Sequence, residues 1–214
     1  MIQKHLLMLS LVSICFILSG AYSAQGQQKE VENLVQNPDF EDPGNAPWTM
    51  WVEDGNAMAQ MMVDRKESFT GKQSLLIDIT KKGGGMRVEL HQNPFVMKKG
   101  QKLTYAFWAK VEKDEVRPAV MIANHRADPW TSYGSKNITI TEEWTEFWTP
   151  VNIPENDNIV GIYVELRDTV GKTWFDHFRF YEGAYVEEEF GEKTKQVEPR
   201  NKLTVTWAEV KALR

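Results

Sequence analysis

Three short stretches carry the side chains best able to do chemistry. Arg87, Glu89 and His91 alternate with Val88 and Leu90, and Tyr163, Glu165 and Arg167 alternate with Val164 and Leu166. Thr104, Ala106, Trp108 and Lys110 alternate with Tyr105, Phe107 and Ala109. Successive residues of an extended strand point to opposite faces, so each stretch turns a polar set away from an apolar set. Guanidinium, carboxylate, amide and imidazole groups make directional hydrogen bonds, and an aromatic ring adds a flat apolar face. Gathered on one surface, such groups suit a sugar, whose C–H face stacks on rings while its hydroxyls meet the polar groups. Two loop-like stretches add aromatics amid turn residues, where a buried core role is less natural: 47–51 with Trp48 and Trp51, and 124–133 with Asn124, Trp130 and Tyr133. The candidate binding set is therefore Arg87, Glu89, Trp108, Asn124, Trp130, Tyr163, Glu165 and Arg167. Trp144, Trp148 and Trp174 are assigned to the core or its rim.

The same side chains fit catalysis less well. Cleaving a glycosidic bond takes two carboxylates about 5–9 Å apart across a groove, which Glu89 and Glu165 could supply from outward faces. No close-spaced acid constellation stands on one strand, however, and the chain has neither a Gly-x-Ser-x-Gly elbow nor a His-Glu-x-x-His helix. Its four histidines (His5, His91, His125 and His177) are scattered. Non-catalytic polysaccharide or oligosaccharide binding is the reading adopted. A structural or adhesive surface module without a sugar site is the alternative, with a glycan-cleaving sandwich enzyme ranked below it.

Strands must position these groups. Between 33 and 183, short runs of Val, Ile, Thr, Phe, Tyr and Trp are broken by Gly, Pro, Asn and Asp, and no run holds a helical period. Strands are expected at 58–64, 74–80, 86–91, 103–111, 118–124, 136–141, 146–151, 159–167 and 173–181, with turns at 82–85 and 98–100. That spacing implies an all-β fold, a two-sheet antiparallel β-sandwich. With 30 acidic against 25 basic residues and no basic block, a nucleic-acid partner is excluded. The single cysteine, Cys15, excludes a disulfide framework or a cysteine zinc site.

The ends differ in texture. Lys4, an apolar run over 6–18 and small residues after it read as a secretion signal, 1–23, too short for a comfortable span. The mature protein is expected to have no membrane span and to be secreted, periplasmic or on the cell surface. A polar leader fills 24–32. Residues 184–214 form a charged linker and tail. There Leu203, Val205 and Trp207 alternate like a strand, while Trp207, Val210 and Arg214 keep helical spacing, and both readings stay open. The tail could recruit a cell-surface or protein partner.

The ordered pieces resemble a known family. Asn33 to Glu41 (NLVQNPDFE), Gly71 to Leu75 (GKQSL), 96–100 followed by Leu103 to Lys110 (LTYAFWAK), Ile140 to Trp144 (ITEEW), and Tyr163 to Glu165 followed by Thr173 to Asp176 (TWFD) are similar to carbohydrate-binding modules of families four, nine and twenty-two. The resemblance spans about 33–182. It implies a jelly-roll sandwich binding polysaccharide in a concave groove, often beside a glycoside hydrolase. It also implies a structural Ca²⁺ held by the carboxylates of Glu41 and Asp176 with backbone carbonyls near Asp39 and Lys72. Calcium takes six to eight oxygens, which such a set begins to supply. Where the family often has two consecutive acids, this chain has Asp176 and His177.

Overall fold

A computed structural model describes residues 31–53, 56–84, 87–167, 169–188 and 190. The expected secretion signal, most of the polar leader and most of the C-terminal tail lie outside the described residues. Among the described residues there is no helix. Ten strands follow in order: β1 (Thr49–Val52), β2 (Met58–Asp64), β3 (Ser74–Lys81), β4 (Arg87–Met97), β5 (Lys102–Val111), β6 (Arg117–His125), β7 (Ser132–Ile140), β8 (Thr145–Asn152), β9 (Asp157–Arg167) and β10 (Gly171–Glu182). They form two five-stranded antiparallel sheets, β1-β4-β9-β6-β7 and β2-β3-β10-β5-β8. The all-β sandwich expected from strand spacing is the observed fold.

Alternation explains the core. Val160, Ile162, Val164 and Leu166 of β9 and Val88 and Leu90 of β4 are fully buried between the sheets. Leu103, Tyr105, Phe107, Ala109 and Val111 of β5 face them from the second sheet. Each such side chain withdraws apolar surface worth about 1.5–3 kcal/mol. The period breaks once in β10, where Phe175 faces inward but the next buried rings are Phe178 and Phe180. A bulge between Asp176 and Arg179, with His177 at φ 51°, inserts the extra residue and restores the apolar phase.

Two strand limits and one aromatic depart most from expectation. β1 lies within a stretch read as a loop, because four residues bounded by turn formers are too few to display a period. Trp48, just before it, is not a surface aromatic: it is 2% exposed, packs 4.3 Å from Phe178, and donates its indole N–H to the Asn37 carbonyl (3.2 Å). β4 continues past Pro94 to Met97, with irregular pairing between Gln92 and Phe95. Pro tolerates such a bulged site, where no ladder N–H is required.

Candidate functional site

The candidate binding residues divide between two surfaces. On the outer face of the first sheet, register aligns Trp51, Glu89, Glu165, Val120 and Asn137 in one row across the strands. Thr49, His91, Tyr163, Ile122 and Ser135 form the next row, and Arg87 pairs with Arg167 on the far side of the first. Arg87, Glu89, Tyr163, Glu165 and Arg167 therefore share one face, as their alternation implied.

Carboxylates lie at the bottom of this face and guanidinium groups above them. Glu165, with a side chain 1% exposed, accepts from Arg87 Nη1 at 3.4 Å on one oxygen and from Arg167 Nε on the other. Arg87 also donates through Nε (2.6 Å) and Nη2 (2.8 Å) to both oxygens of Glu53. Glu89 accepts from Arg126 Nη2 at 3.4 Å. Burial pushes the Glu89 carboxyl above the ordinary range, against the pull of Arg126 and Arg87. Burial, reinforced by the Arg126 charge, lowers the His91 pKa, leaving a neutral imidazole at neutral pH.

Arg126 is missing from the candidate set, yet it organises one corner. Its guanidinium stands 4.9 Å over the ring of Tyr163 and 5.4 Å from that of Trp130. Tyr163 is consequently only 7% exposed, and burial with the Glu89 charge pushes its phenol up to about 12. A sugar cannot reach this ring's covered side. Trp130, at φ 60° in the loop between β6 and β7, is 53% exposed. That loop is braced by Asp157, whose carboxylate accepts from Tyr133 Oη (2.8 Å) and the Ile159 N–H (2.9 Å) and meets His125 Nδ1 at 2.9 Å. Asn124, at the end of β6, is 2% exposed and keeps an unpartnered Oδ1 among the described residues.

At the opposite corner Trp51 is 43% exposed, with the Arg87 guanidinium 5.8 Å from its ring. Its membership of the face was hidden because β1 is so short. The alternation of Thr49 and Trp51 against Met50 and Val52 was the available signal. Three strand spacings of about 4.8 Å separate β1 from β6, and four residues of β9 add about 13 Å along it, so the tryptophans stand roughly 20 Å apart.

Trp108 does not belong to this face. It is on β5, in the second sheet, where its ring stacks on Phe69 at 3.7 Å and 10° and meets the edge of Phe190 at 5.7 Å. Its indole nitrogen is buried without a partner among the described residues. Alternation had placed it correctly outward, but β4 and β5, consecutive in sequence, join different sheets. The segment after β10 covers this outer surface. Tyr185 stacks on Trp148 at 4.5 Å and donates to Glu146 (2.6 Å), while Arg179 donates to the Val186 carbonyl (3.1 Å) and pairs with Glu188 (3.0 Å).

The residues expected around calcium are engaged with the backbone. Asp176 is fully buried; its Oδ2 accepts from the Phe69 (2.8 Å) and Thr70 (2.9 Å) N–H groups and its Oδ1 from that of His177 (2.8 Å). Glu41 Oε1 accepts from the Lys72 (2.6 Å) and Gln73 (3.1 Å) N–H groups. Asp39 Oδ1 meets His177 Nδ1 at 2.7 Å. Among the described residues no group of three or more His, Cys, Asp or Glu gathers to hold a metal. Both carboxylates nevertheless retain lone pairs. Burial outweighs the N–H bonds at Asp176 and pushes its pKa up to about 7, so a cation beside it would stabilise its charged form.

Two depressions lie away from the first-sheet face. One, of about 640 Å³, opens between β1 and β2 beside Trp48, Met50, Ala59 and Met61; the other, of about 690 Å³, adjoins Glu41, Arg65, Lys72 and Gln73. Neither collects the charged and aromatic groups of that face, so neither displaces it as the candidate site. No helix among the described residues is long and apolar enough to cross a membrane.

Comparison with known proteins agrees with this architecture. The sequence profile described as "Carbohydrate binding domain" matches residues 32–171, well over half of the chain. Among solved structures, one described as "CBM4 structure and function" is 20% identical with a TM-score of 0.55, the match covering 70% of this chain and 99% of that one. TmCBM61, solved with β-1,4-galactotriose, is 18% identical (TM-score 0.52; 71% and 99% covered). The CBM22-1 xylan-binding domain of Paenibacillus barcinonensis Xyn10C is 16% identical (TM-score 0.52; 67% and 90% covered). At these identities the structures share the fold alone, and no curated protein matches. The profile match, over a sandwich of the same architecture, makes this chain a member of the carbohydrate-binding domain family.

Proposed function

We propose that this protein is an exported, non-catalytic polysaccharide-binding module that uses the outer face of the β1-β4-β9-β6-β7 sheet. The observation carrying this reading is the pair of exposed rings, Trp51 and Trp130, at opposite corners of a face lined by Arg87, Glu89, His91, Glu165 and Arg167. Each ring offers a flat apolar face on which the C–H side of a sugar can stack. Their separation calls for an oligosaccharide segment, not a single sugar. The carboxylates support binding over cleavage. Glu89 and Glu165 stand directly opposite in the ladder, but both are buried, with arginines on both oxygens of Glu165 and on one oxygen of Glu89. Neither is open to attack an anomeric carbon. Export is supported by the apolar 6–18 run with its small-residue flank. A structural calcium ion held by Glu41, Asp176 and backbone carbonyls near Asp39 and Lys72 is a separate proposal; it would supply no chemistry, only a tie between loops.

The test is binding to a panel of soluble glycans with the wild type and the Trp51→Ala/Trp130→Ala double variant. Wild-type affinity is expected in the micromolar to millimolar range, and the double variant about 10–100-fold weaker. Unchanged retention would remove this face from the reading. A reducing-end assay on the same glycans should show no cleavage. If no glycan binds, the structural or adhesive alternative takes precedence.

A further inference from the structure

Resting on the reading just given, we infer that the polysaccharide recognised by this face is anionic and carries carboxylates, as in a polymer of uronic acids. The argument comes from which charged tips reach solvent. The side chains of Arg87 and Arg167 are 38% and 50% exposed, whereas those of Glu165 and Glu89 are 1% and 8% exposed. Glu53 is accessible, but both its oxygens receive N–H groups from Arg87. The face is formally balanced, with Arg87, Arg126 and Arg167 against Glu53, Glu89 and Glu165; over β4 and β9 its charge is layered, Glu89 and Glu165 below and Arg87 and Arg167 above, while Glu53 is 39% exposed and Arg126 only 16%.

A guanidinium has five donors and no acceptor. The exposed charged tips at the Arg87–Arg167 edge of the face are therefore mainly donors; neutral acceptors such as Thr49, Ser135 and Asn137 stand on the edge strands β1 and β7. A neutral glycan presents hydroxyls that both give and take hydrogen bonds, and it would leave such a surface half matched. A carboxylate only accepts, and its two oxygens fit the planar fork in a paired geometry. Arg167 is the free fork. Its Nε is engaged by Glu165, its side chain is 50% exposed, and its two terminal nitrogens have no hydrogen-bond partner among the described residues. Glu165 fixes that guanidinium in place, which lowers the ordering cost of binding.

The experiment measures affinity for de-esterified polygalacturonate, the same polymer methyl-esterified, neutral β-1,4-galactan and xylan, and a sulfated galactan. It uses wild type, Arg167→Gln and Arg167→Lys, at about 0.05 and 0.5 M NaCl. Polygalacturonate is expected to bind at least 10-fold tighter than its methyl ester and to lose several-fold at high salt, since exposed charge pairs are screened. Arg167→Gln should weaken polygalacturonate about 10-fold or more, with Arg167→Lys between, since only the planar fork pairs with both carboxylate oxygens. Equal or tighter binding of the neutral glycans, indifferent to Arg167→Gln, overturns this inference and leaves the binding reading standing. Preference for the sulfated polymer alone overturns the carboxylate assignment. Failure of every glycan overturns both.

Discussion

Arg126 crosses β9 at Gly161, and its stem fills the space that a side chain there would need. A Cβ placed on Gly161 would lie 2.6 Å from Arg126 Cγ and 2.7 Å from Cδ. Gly161 sits between Ile162 and Val160 in an otherwise regular strand, so its value is the close approach it permits. The guanidinium is thereby delivered between Tyr163 and Trp130 and onto Glu89.

Gly161→Ala is therefore expected to displace Arg126 and loosen Trp130. Because the stem belongs to a surface side chain that can swing away, the stability cost should stay near the low end of overpacking, about 1 kcal/mol. Glycan affinity should fall about 10-fold. Paired thermal melts and binding titrations check this; lost affinity with a melt lowered by only about 2–4 °C is the expected pattern, and unchanged affinity would show that Arg126 does not organise the face.

The brace at Asp157 makes a pH-dependent contribution. Burial alone would raise this carboxyl, but the bonds from the Ile159 N–H, His125 and Tyr133 outweigh it and hold the pKa below the ordinary carboxylate range. An acid whose folded pKa is depressed stabilises the fold above its unfolded value of about 3.9, and that stability is lost as pH falls through the folded value. Asp157→Asn should lower the melting temperature at pH 6 and flatten its fall below pH 4. Parallel wild-type and variant curves down to pH 2 would contradict the assignment.

Tyr185 should act as a fastener for the segment after β10. Tyr185→Ala removes its stack on Trp148 and its bond to Glu146. A drop of a few degrees in melting temperature is expected, from about 1–2 kcal/mol, together with red-shifted tryptophan emission as Trp148 meets water. Glycan affinity should not change, because this surface is the opposite sheet.

Calcium is checked by melting the protein with chelator and with millimolar Ca²⁺ at neutral pH. An ion beside Asp176 would stabilise only the folded form and raise the midpoint, and Asp176→Asn should abolish the rise. Coincident melts would argue that Glu41 and Asp176 are held by backbone N–H groups alone.

How much of this was legible in the sequence differs between strands and faces. A two-residue period is local, so the alternation of Arg87, Glu89 and His91, or of Tyr163, Glu165 and Arg167, was enough to set outward against inward. It was enough for Trp108 too, which does point out of the core. The family pattern from Asn33 to Asp176 likewise survives in chain order. What alternation lacks is any record of which sheet a strand joins. That depends on pairing between residues far apart in sequence, such as Glu89 with Glu165 or Asp176 with Trp108. Only the tertiary structure put Trp108 beneath Phe69 and Phe190, brought Trp51 onto the face where Trp108 was expected, and laid Arg126 over Tyr163. Side-chain direction is a property of two neighbouring peptide units, whereas a binding surface is a property of strands that meet across the whole fold.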